Sequence, residues 1–342
     1  MVRLAPGAGV TMFWPAAQFA ACTALIVFSG VRLSRHGDVI AERTGLGGTW
    51  MGLVAMAAIT SLPELITGAS SVVIFDVPDI AVGDAVGSCM FNLVILAMLD
   101  VRNPVPLSAR IHHGHVLAAA LGVVQLGLVG LAILTGARAP AIGWIGVHSV
   151  LFLVLYALSM RMVLSFERTR LRETADAMST ARNADASLQR AVTLYAMNAV
   201  VLIGAAVLLP GAGERLAHAT GLQESFVGSL FVAMSTSLPE ITVSIAAARI
   251  GAVDMAAANL FGSNLFNVAV LGVDDILFTE GPLLAVSAPT HVISAVTAMM
   301  MSAVAIVGLT YRAQRKRLAV SWDGLGIVAL YVIGIVALFR AG

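Results

Sequence analysis

The chain is patterned in long apolar runs, without the strict alternation of half-buried strands. Ten runs can be drawn, over residues 13–31, 50–74, 80–99, 112–135, 141–164, 191–209, 225–248, 253–273, 286–309 and 322–340. Each is close to the roughly 20 residues that an α-helix needs to cross a bilayer. Polar or Pro/Gly-rich turns, such as residues 102–106 and 209–213, separate them. The longest polar stretch, SFERTRLRETADAMSTARNADASLQR at 165–190, falls between the fifth and sixth runs and reads as a helical surface linker. Its carboxylates are few and scattered, which argues against a regulatory cation site there. The pattern predicts an all-α transmembrane fold of about ten helices.

Composition supports this and narrows the function. The 342 residues are 59% hydrophobic and 11% charged, with a mean hydropathy of +0.93. A soluble domain carries about 25% charged residues, so lipid is the expected solvent. A formal net charge of +1 gives no basic field for nucleic acid. The two cysteines, Cys22 and Cys89, lie in separate apolar runs without metal-ligand spacing and read as free buried thiols. Arg3 is the only basic residue before the first run, and no small-residue cleavage site stands out, so that run reads as a retained helix.

Charge placement predicts orientation. The loops on one side of a ten-span layout carry 16 of the 20 Lys and Arg residues, among them Arg312, Arg315, Lys316 and Arg317. The positive-inside rule then places the 165–190 linker in the cytoplasm and both termini outside a cell (inner) membrane.

The chain also repeats itself. Residues 45–64 read GLGGTWMGLVAMAAITSLPE and residues 221–240 read GLQESFVGSLFVAMSTSLPE, with nine of twenty positions identical. GSCMFN at 87–92 is echoed by GSNLFN at 262–267, and each is followed eight residues on by an aspartate, Asp100 and Asp275. With five spans per half, the second half enters the membrane in the opposite sense to the first. Inverted repeats of this kind build secondary transporters, with the site where the halves meet. The expected layout is a first repeat over 1–164, the linker over 165–190 and a second repeat over 191–342.

Glu64 and Glu240 sit inside apolar runs, each after a proline, Pro63 and Pro239. Such a charge is costly in hydrocarbon unless it faces a partner or a wet cavity. The prolines disrupt the helix ladder and free carbonyls of the preceding turn, which contains Ala57 and Thr60 in one half and Ala233 and Thr236 in the other. Ser88 and Asn92, like Ser263 and Asn267, are spaced i,i+4 and face one way on a helix. Carbonyls, hydroxyls, amides and carboxylates are hard oxygen ligands suited to Ca²⁺ and able to hold Na⁺. No nucleophile–base–orienter triad and no ATP-binding loop is present, so neither an enzyme nor an ATP-driven pump is indicated. His112, His113 and His115 read as interfacial.

The twice-repeated TSLPE plus GS-x-x-FN pattern resembles the alpha-repeats of the calcium/cation antiporter superfamily, above all its sodium/calcium exchanger branch. The resemblance spans the transmembrane chain. It implies alternating access, with spans one and six sliding past the rest, and Glu64 and Glu240 binding Ca²⁺ and Na⁺ in turn. It further implies ligands from Thr60, Ser61, Ser88 and Asn92 in the first repeat and Thr236, Ser237 and Ser263 in the second. Ala57 and Ala233 would contribute carbonyls. Membrane lipid and the transported cations are then the only partners expected, with no obligate protein partner and no cofactor.

The sequence departs from the family pattern at four places. Asn267 stands where this branch can carry Asp. Asp84, whose counterpart is Asn259, stands where the family usually has Asn, and it enters the candidate set as a cation or proton ligand. Ile59 and Ser235 stand where Gly commonly precedes TSLPE, and Cys89 stands opposite Asn264. Na⁺-driven Ca²⁺ antiport is the leading expectation. H⁺-coupled exchange of Ca²⁺ or another divalent cation is the alternative, and an ion channel is disfavoured by the single central polar cluster.

Overall fold

The computed structural model describes residues 8–44, 60–101, 105–174, 187–249, 251–316 and 318–341. Ala57, the start of the second run and residues 175–186 of the linker lie outside the described residues. The main helices are α1 (Ala8–Thr44), α2 (Leu62–Ser70), α3 (Pro78–Asp100), α4 (Gly114–Thr135) and α5 (Val147–Thr174) in the first half. The second half has α6 (Leu188–Thr220), α7 (Leu238–Arg249), α8 (Val253–Leu277), α9 (His291–Tyr311) and α10 (Trp322–Ala341). Seven of these are long and apolar enough to span a bilayer. An eighth span is the pair Glu224–Thr236 and α7, bent by 44°, and the shorter apolar segments Leu62–Phe75 and Val147–Val163 complete the ten.

The elements follow the expected runs in number and order, but α1 continues past residue 31 to Thr44, and α6 runs to Thr220 through residues 209–213, which are not a turn but helix with Pro210 inside it. The run beginning at 141 does not start as a helix. Pro140 and Gly143, whose φ is +66°, instead set a two-residue hairpin pairing Ala141–Ile142 with Ile145–Gly146, and α5 starts only at Val147. Glycine takes that left-handed backbone without a Cβ penalty.

Helices α3 and α8 occupy the centre. In their most apolar windows 89% and 78% of residues are buried, against 22% for α6 and for α10, which face outward. One hydrophobic core joins α3, α4, α8 and α9 through residues such as Met90, Leu126, Leu265 and Met301. A second, separate cluster lies mainly between α1 and α6, with Phe19, Cys22 and Ile26 against Ala205, Leu209 and Ala212. Small residues let the central backbones approach closely, as expected where lipid removes the hydrophobic drive between helices. A Cβ on Gly83 would stand 2.9 Å from the Cα of Gly228.

Four aspartates tie the helix ends together in a repeating pattern. Asp100 accepts the amides of Leu107 and Ser321, each at 2.6 Å, and pairs with Lys316 at 2.9 Å. Its counterpart Asp275 accepts the amides of Leu283 at 2.5 Å and Gly146 at 2.8 Å. At the start of α3, Asp79 accepts the Ala288 amide at 2.7 Å and lies 3.0 Å from His291 Nε2. At the start of α8, Asp254 accepts the His112 amide at 2.7 Å and lies 3.3 Å from His115 Nε2. Carboxylates at helix N-termini also suit the helix dipole.

These ties fix the sense of the halves. The end of α3 leads through a short loop to the start of α4, which Asp254 holds beside the start of α8. The start of α3 is held by Asp79 beside the start of α9, which follows the end of α8. Helices α3 and α8 therefore run antiparallel, as an inverted repeat requires. His115 is accordingly buried against α8, not interfacial, because its imidazole serves Asp254.

Replacing Asp275 with Ala leaves the buried Leu283 and Gly146 amides without their acceptor. At about 1–3 kcal/mol per orphaned buried group, the expected loss is about 2–6 kcal/mol. It is read as a lower unfolding midpoint of purified protein in detergent; an unchanged midpoint would contradict the role given to Asp275.

Candidate cation site

The two TSLPE segments break their helices in the same way. Ser61 has φ −87° and ψ 11°, and Ser237 has φ −86° and ψ 6°, so both sit in the sparsely used bridge region just before a new helix. Pro63 and Pro239 lie in the first turn of those helices, where a missing amide proton costs nothing. Glu64 and Glu240 follow in the same turn and are almost completely buried, with 1% and 0% exposure.

The halves exchange partners. Ser237 Oγ lies 2.9 Å from Glu64 Oε1 and 2.9 Å from Ser88 Oγ. In mirror fashion Ser61 Oγ lies 3.1 Å from Glu240 Oε1 and 2.9 Å from Ser263 Oγ. Each serine of one repeat therefore reaches the glutamate of the other. A hydroxyl carries one proton and shares it among these acceptors.

A second pair of threonines extends the pattern. Thr60 Oγ1 lies 3.3 Å from Asn259 Oδ1, and Thr236 Oγ1 lies 2.8 Å from Asp84 Oδ1. Asp84 Oδ1 is also 3.5 Å from Ser88 Oγ. Asp84 thus faces the polar cluster and not a separate crevice. The Ala233 carbonyl points inward as well, with Ser88 Oγ at 3.4 Å.

Asn92 and Asn267 are both buried, but their surroundings differ. Asn92 Nδ2 donates to Asn264 Oδ1 at 3.0 Å, whereas neither amide atom of Asn267 has a partner among the described residues. Asn264 in turn donates to the Cys89 carbonyl at 3.2 Å, and Cys89 Sγ lies 3.6 Å from the Asn264 carbonyl. Cys89 and Asn264, which are repeat counterparts, therefore meet across the interface of α3 and α8 and stitch it together.

Of the expected ligands, Thr60, Ser61, Glu64, Asp84, Ser88, Ala233, Thr236, Ser237, Glu240 and Ser263 converge in this network. Ala57 lies outside the described residues. Sequence reasoning did not single out Asn264 as a helix stitch or Ser244, which accepts from Asn259 Nδ2 at 3.4 Å. The repeat alignment carries the signal for both, since each faces a counterpart of different chemistry, Cys89 and Gly68.

One oxygen of each central acid is left over. Glu64 Oε2, Glu240 Oε2 and Asp84 Oδ2 are buried without a hydrogen-bond partner among the described residues, and so is Asn92 Oδ1. Such acceptors are costly in a dry interior unless a cation or proton meets them. Among the described residues no three His, Cys, Asp or Glu side chains cluster as a metal cage. The donor set is instead a mixed one of carboxylate, hydroxyl, amide and carbonyl oxygen, chemistry that suits hard, exchangeable cations.

Comparison with known proteins agrees with this geometry. Over 91% of its length and of theirs, the chain is 26% identical to an uncharacterized membrane protein of Methanocaldococcus jannaschii. It is also 26% identical to the inner membrane protein YrbG of Escherichia coli, over 76% of this chain and 78% of that one. The solved structure of the sodium-calcium exchanger NCX_Mj, soaked with Na⁺ and Sr²⁺, superposes with a TM-score of 0.62 at 20% identity. That match covers 95% of this chain and 98% of the other and shares its all-α fold of two inverted repeats. Residues 14–165 and 190–340 match the family described as sodium/calcium exchanger protein. The chain belongs to the sodium/calcium exchanger family.

Proposed function

We propose that this protein is a secondary antiporter that exchanges Na⁺ for Ca²⁺ by alternating access. The observation that carries the reading is the reciprocal pairing of Ser61 with Glu240 and Ser237 with Glu64. Two buried carboxylates held by the opposite half form one site that neither half can make alone. Two formal negative charges balance one Ca²⁺, and the neutral oxygens around them can hold Na⁺ in its place. The two ions then compete for one set of ligands, which is the requirement for exchange.

The cargo ligands are Glu64 and Glu240, with Thr60, Ser61, Ser88 and Asn92 from the first repeat and Thr236, Ser237, Ser263 and Asn267 from the second. The carbonyls of Ala57 and Ala233 and the carboxylate of Asp84 complete the set. Helices α1 and α6 act as the moving pair. Their shared cluster is distinct from the main core and meets α3 only near its start, at Val77 and Ile80, so they can slide with little repacking of α8. They also touch the helix breaks: Thr23 Oγ1 lies 2.9 Å from Ser235 Oγ, and a Cβ on Gly30 would stand 2.6 Å from Pro239 Cγ. The charge bias of the loops supports a cytoplasmic linker and external termini, so Na⁺ entry would drive Ca²⁺ out of the cell. Related solved structures bear on the cargo as well, since NCX_Mj is described with Na⁺ and Sr²⁺ at work in ion exchange.

A second reading, H⁺-coupled exchange, rests on Asp84. Its Oδ1 is held by Thr236 while its Oδ2 is unpartnered, and the same position in the other half is the neutral Asn259. A carboxyl there can carry a proton that an amide cannot.

The primary test is Ca²⁺ uptake into proteoliposomes with Na⁺ and pH gradients imposed separately. An outward Na⁺ gradient is expected to accelerate uptake; flux that ignores Na⁺ and follows pH would replace this reading with the second. Glu64→Gln and Glu240→Gln are expected to abolish Ca²⁺ flux while the protein remains folded, because each removes one of the two paired charges. Wild-type flux in either folded variant would refute its assignment. Asp84→Asn makes the first half match the second. Under Na⁺ coupling it is expected to weaken Ca²⁺ binding, since an amide replaces a charged ligand, while flux still follows the Na⁺ gradient; under H⁺ coupling it is expected to lose the response to pH.

A further inference from the structure

The aspartates that tie helix ends accept backbone amides or histidine. Asp274 does neither. It is fully buried in α8, and both carboxylate oxygens lack a partner among the described residues. The repeat does not explain it, since its counterpart in the first half is Leu99. Space for the carboxylate comes from Gly68 on α2, where a Cβ would stand 2.8 Å from Asp274 Oδ1. The counterpart of Gly68 is Ser244, so charge and space change together at this contact between the halves, whereas the mirror positions hold Leu99 and Ser244.

Gly68 lies one helical turn beyond Glu64 on the same face of α2. Helices α2 and α8 touch at Ser61 and Ser263 within the central site, and again at Gly68 and Asp274 farther along both chains. Glu64 on α2 and Asn267 on α8 fall between those contacts in sequence. Glu64 Oε2 and both amide atoms of Asn267 are likewise unpartnered. The seam from the central site to Asp274 therefore carries the carboxylate oxygens Glu64 Oε2 and Asp274 Oδ1 and Oδ2, none of which accepts a hydrogen bond among the described residues. A lone carboxylate in such surroundings is costly unless a proton or a cation answers it.

We propose that Asp274 is a second cation station, on one side of the central site, that takes a single Na⁺-type monovalent cation. One carboxylate matches one positive charge. A divalent ion would need the six to eight oxygens typical of Ca²⁺, and no cluster of three acids is present here among the described residues. Because Leu99 fills the mirror position, the station serves only the path that follows α8 toward its C-terminal end. Its place in the transport cycle rests on the exchanger reading, whereas its binding of Na⁺ does not.

The test is equilibrium binding of radioactive sodium to the purified full chain, beside the Na⁺ dependence of Ca²⁺ flux in proteoliposomes. Asp274→Asn keeps the side-chain shape, and Asp274→Ala relieves the crowding against Gly68, so the pair guards against a folding failure in either. Each is expected to bind one Na⁺ fewer per chain and to need about tenfold more Na⁺ for half-maximal flux, as for loss of one contact to a charge. Ca²⁺–Ca²⁺ exchange should stay near wild type. Folded variants with unchanged Na⁺ binding and unchanged Na⁺ dependence would overturn the station. Loss of a bound Na⁺ in variants of a protein that shows no Na⁺-driven Ca²⁺ flux would uphold the station and count against the exchanger reading instead.

Discussion

A carboxylate can stay in the middle of a membrane protein only where something answers its charge, and here the answer comes from the other half of the chain. Ser237 supports Glu64 and Ser61 supports Glu240. Each acid therefore gains its closest hydroxyl donor only when the two repeats are docked. The helix breaks serve the same end. An unbroken helix would bury the serine hydroxyls against their own backbone carbonyls, whereas the turn at Ser61 and Ser237 frees them to cross the interface. The site is thus complete only in the docked arrangement of the two halves.

The inverted repeat reaches well beyond the motifs. Gly146 and Ser321, 175 residues apart, offer their amides to Asp275 and Asp100 respectively. His115 and His291 serve Asp254 and Asp79 in the same exchanged manner. Against that regularity the departures stand out. Asp84 faces a threonine as Asn259 does, but brings a charge. Asp274 and Gly68 replace Leu99 and Ser244 as a pair. All of the added acid lies on one side of the pseudo-symmetry, so the two routes to the site are chemically different even though their backbones correspond.

Much of this was legible in the sequence, for physical reasons. A membrane forces backbone satisfaction within each span, so apolar run length reported the number and order of the spans, although α1, α5 and α6 continue well past the ends of their apolar runs. The start of α5 was misplaced because a hairpin of Ala, Ile, Gly and Trp is as apolar as a helix. The paired glutamates were legible because charge inside an apolar run is rare. Their exchange of serine partners was not, since periodicity tells which face a residue occupies and not which helix it meets. His115 was taken as interfacial for the same reason: its partner Asp254 is distant in sequence. Asp274 was hidden beside Asp275, whose match to Asp100 accounted for the acidic pair until their contacts were separated.

The division of the apolar core bears on how such a site opens. The main core runs through α3, α4, α8 and α9, so these helices form a frame whose relative motion would disturb close packing. The cluster between α1 and α6 meets that frame at Val77 and Ile80 by the start of α3, and polar ties join it to the broken helices. Thr23 meets Ser235, and the Ala206 carbonyl lies 3.4 Å from Thr67 Oγ1 and from Ser70 Oγ. Gly30 on α1 and Ala206 on α6 are repeat counterparts, and each rests against the broken helix of the opposite half. A displacement of the α1–α6 pair along the frame would therefore uncover one helix break while covering the other. That coupling follows from the antiparallel placement of the repeats. One sliding motion of this kind would open the shared site of Glu64 and Glu240 to one face while closing it to the other.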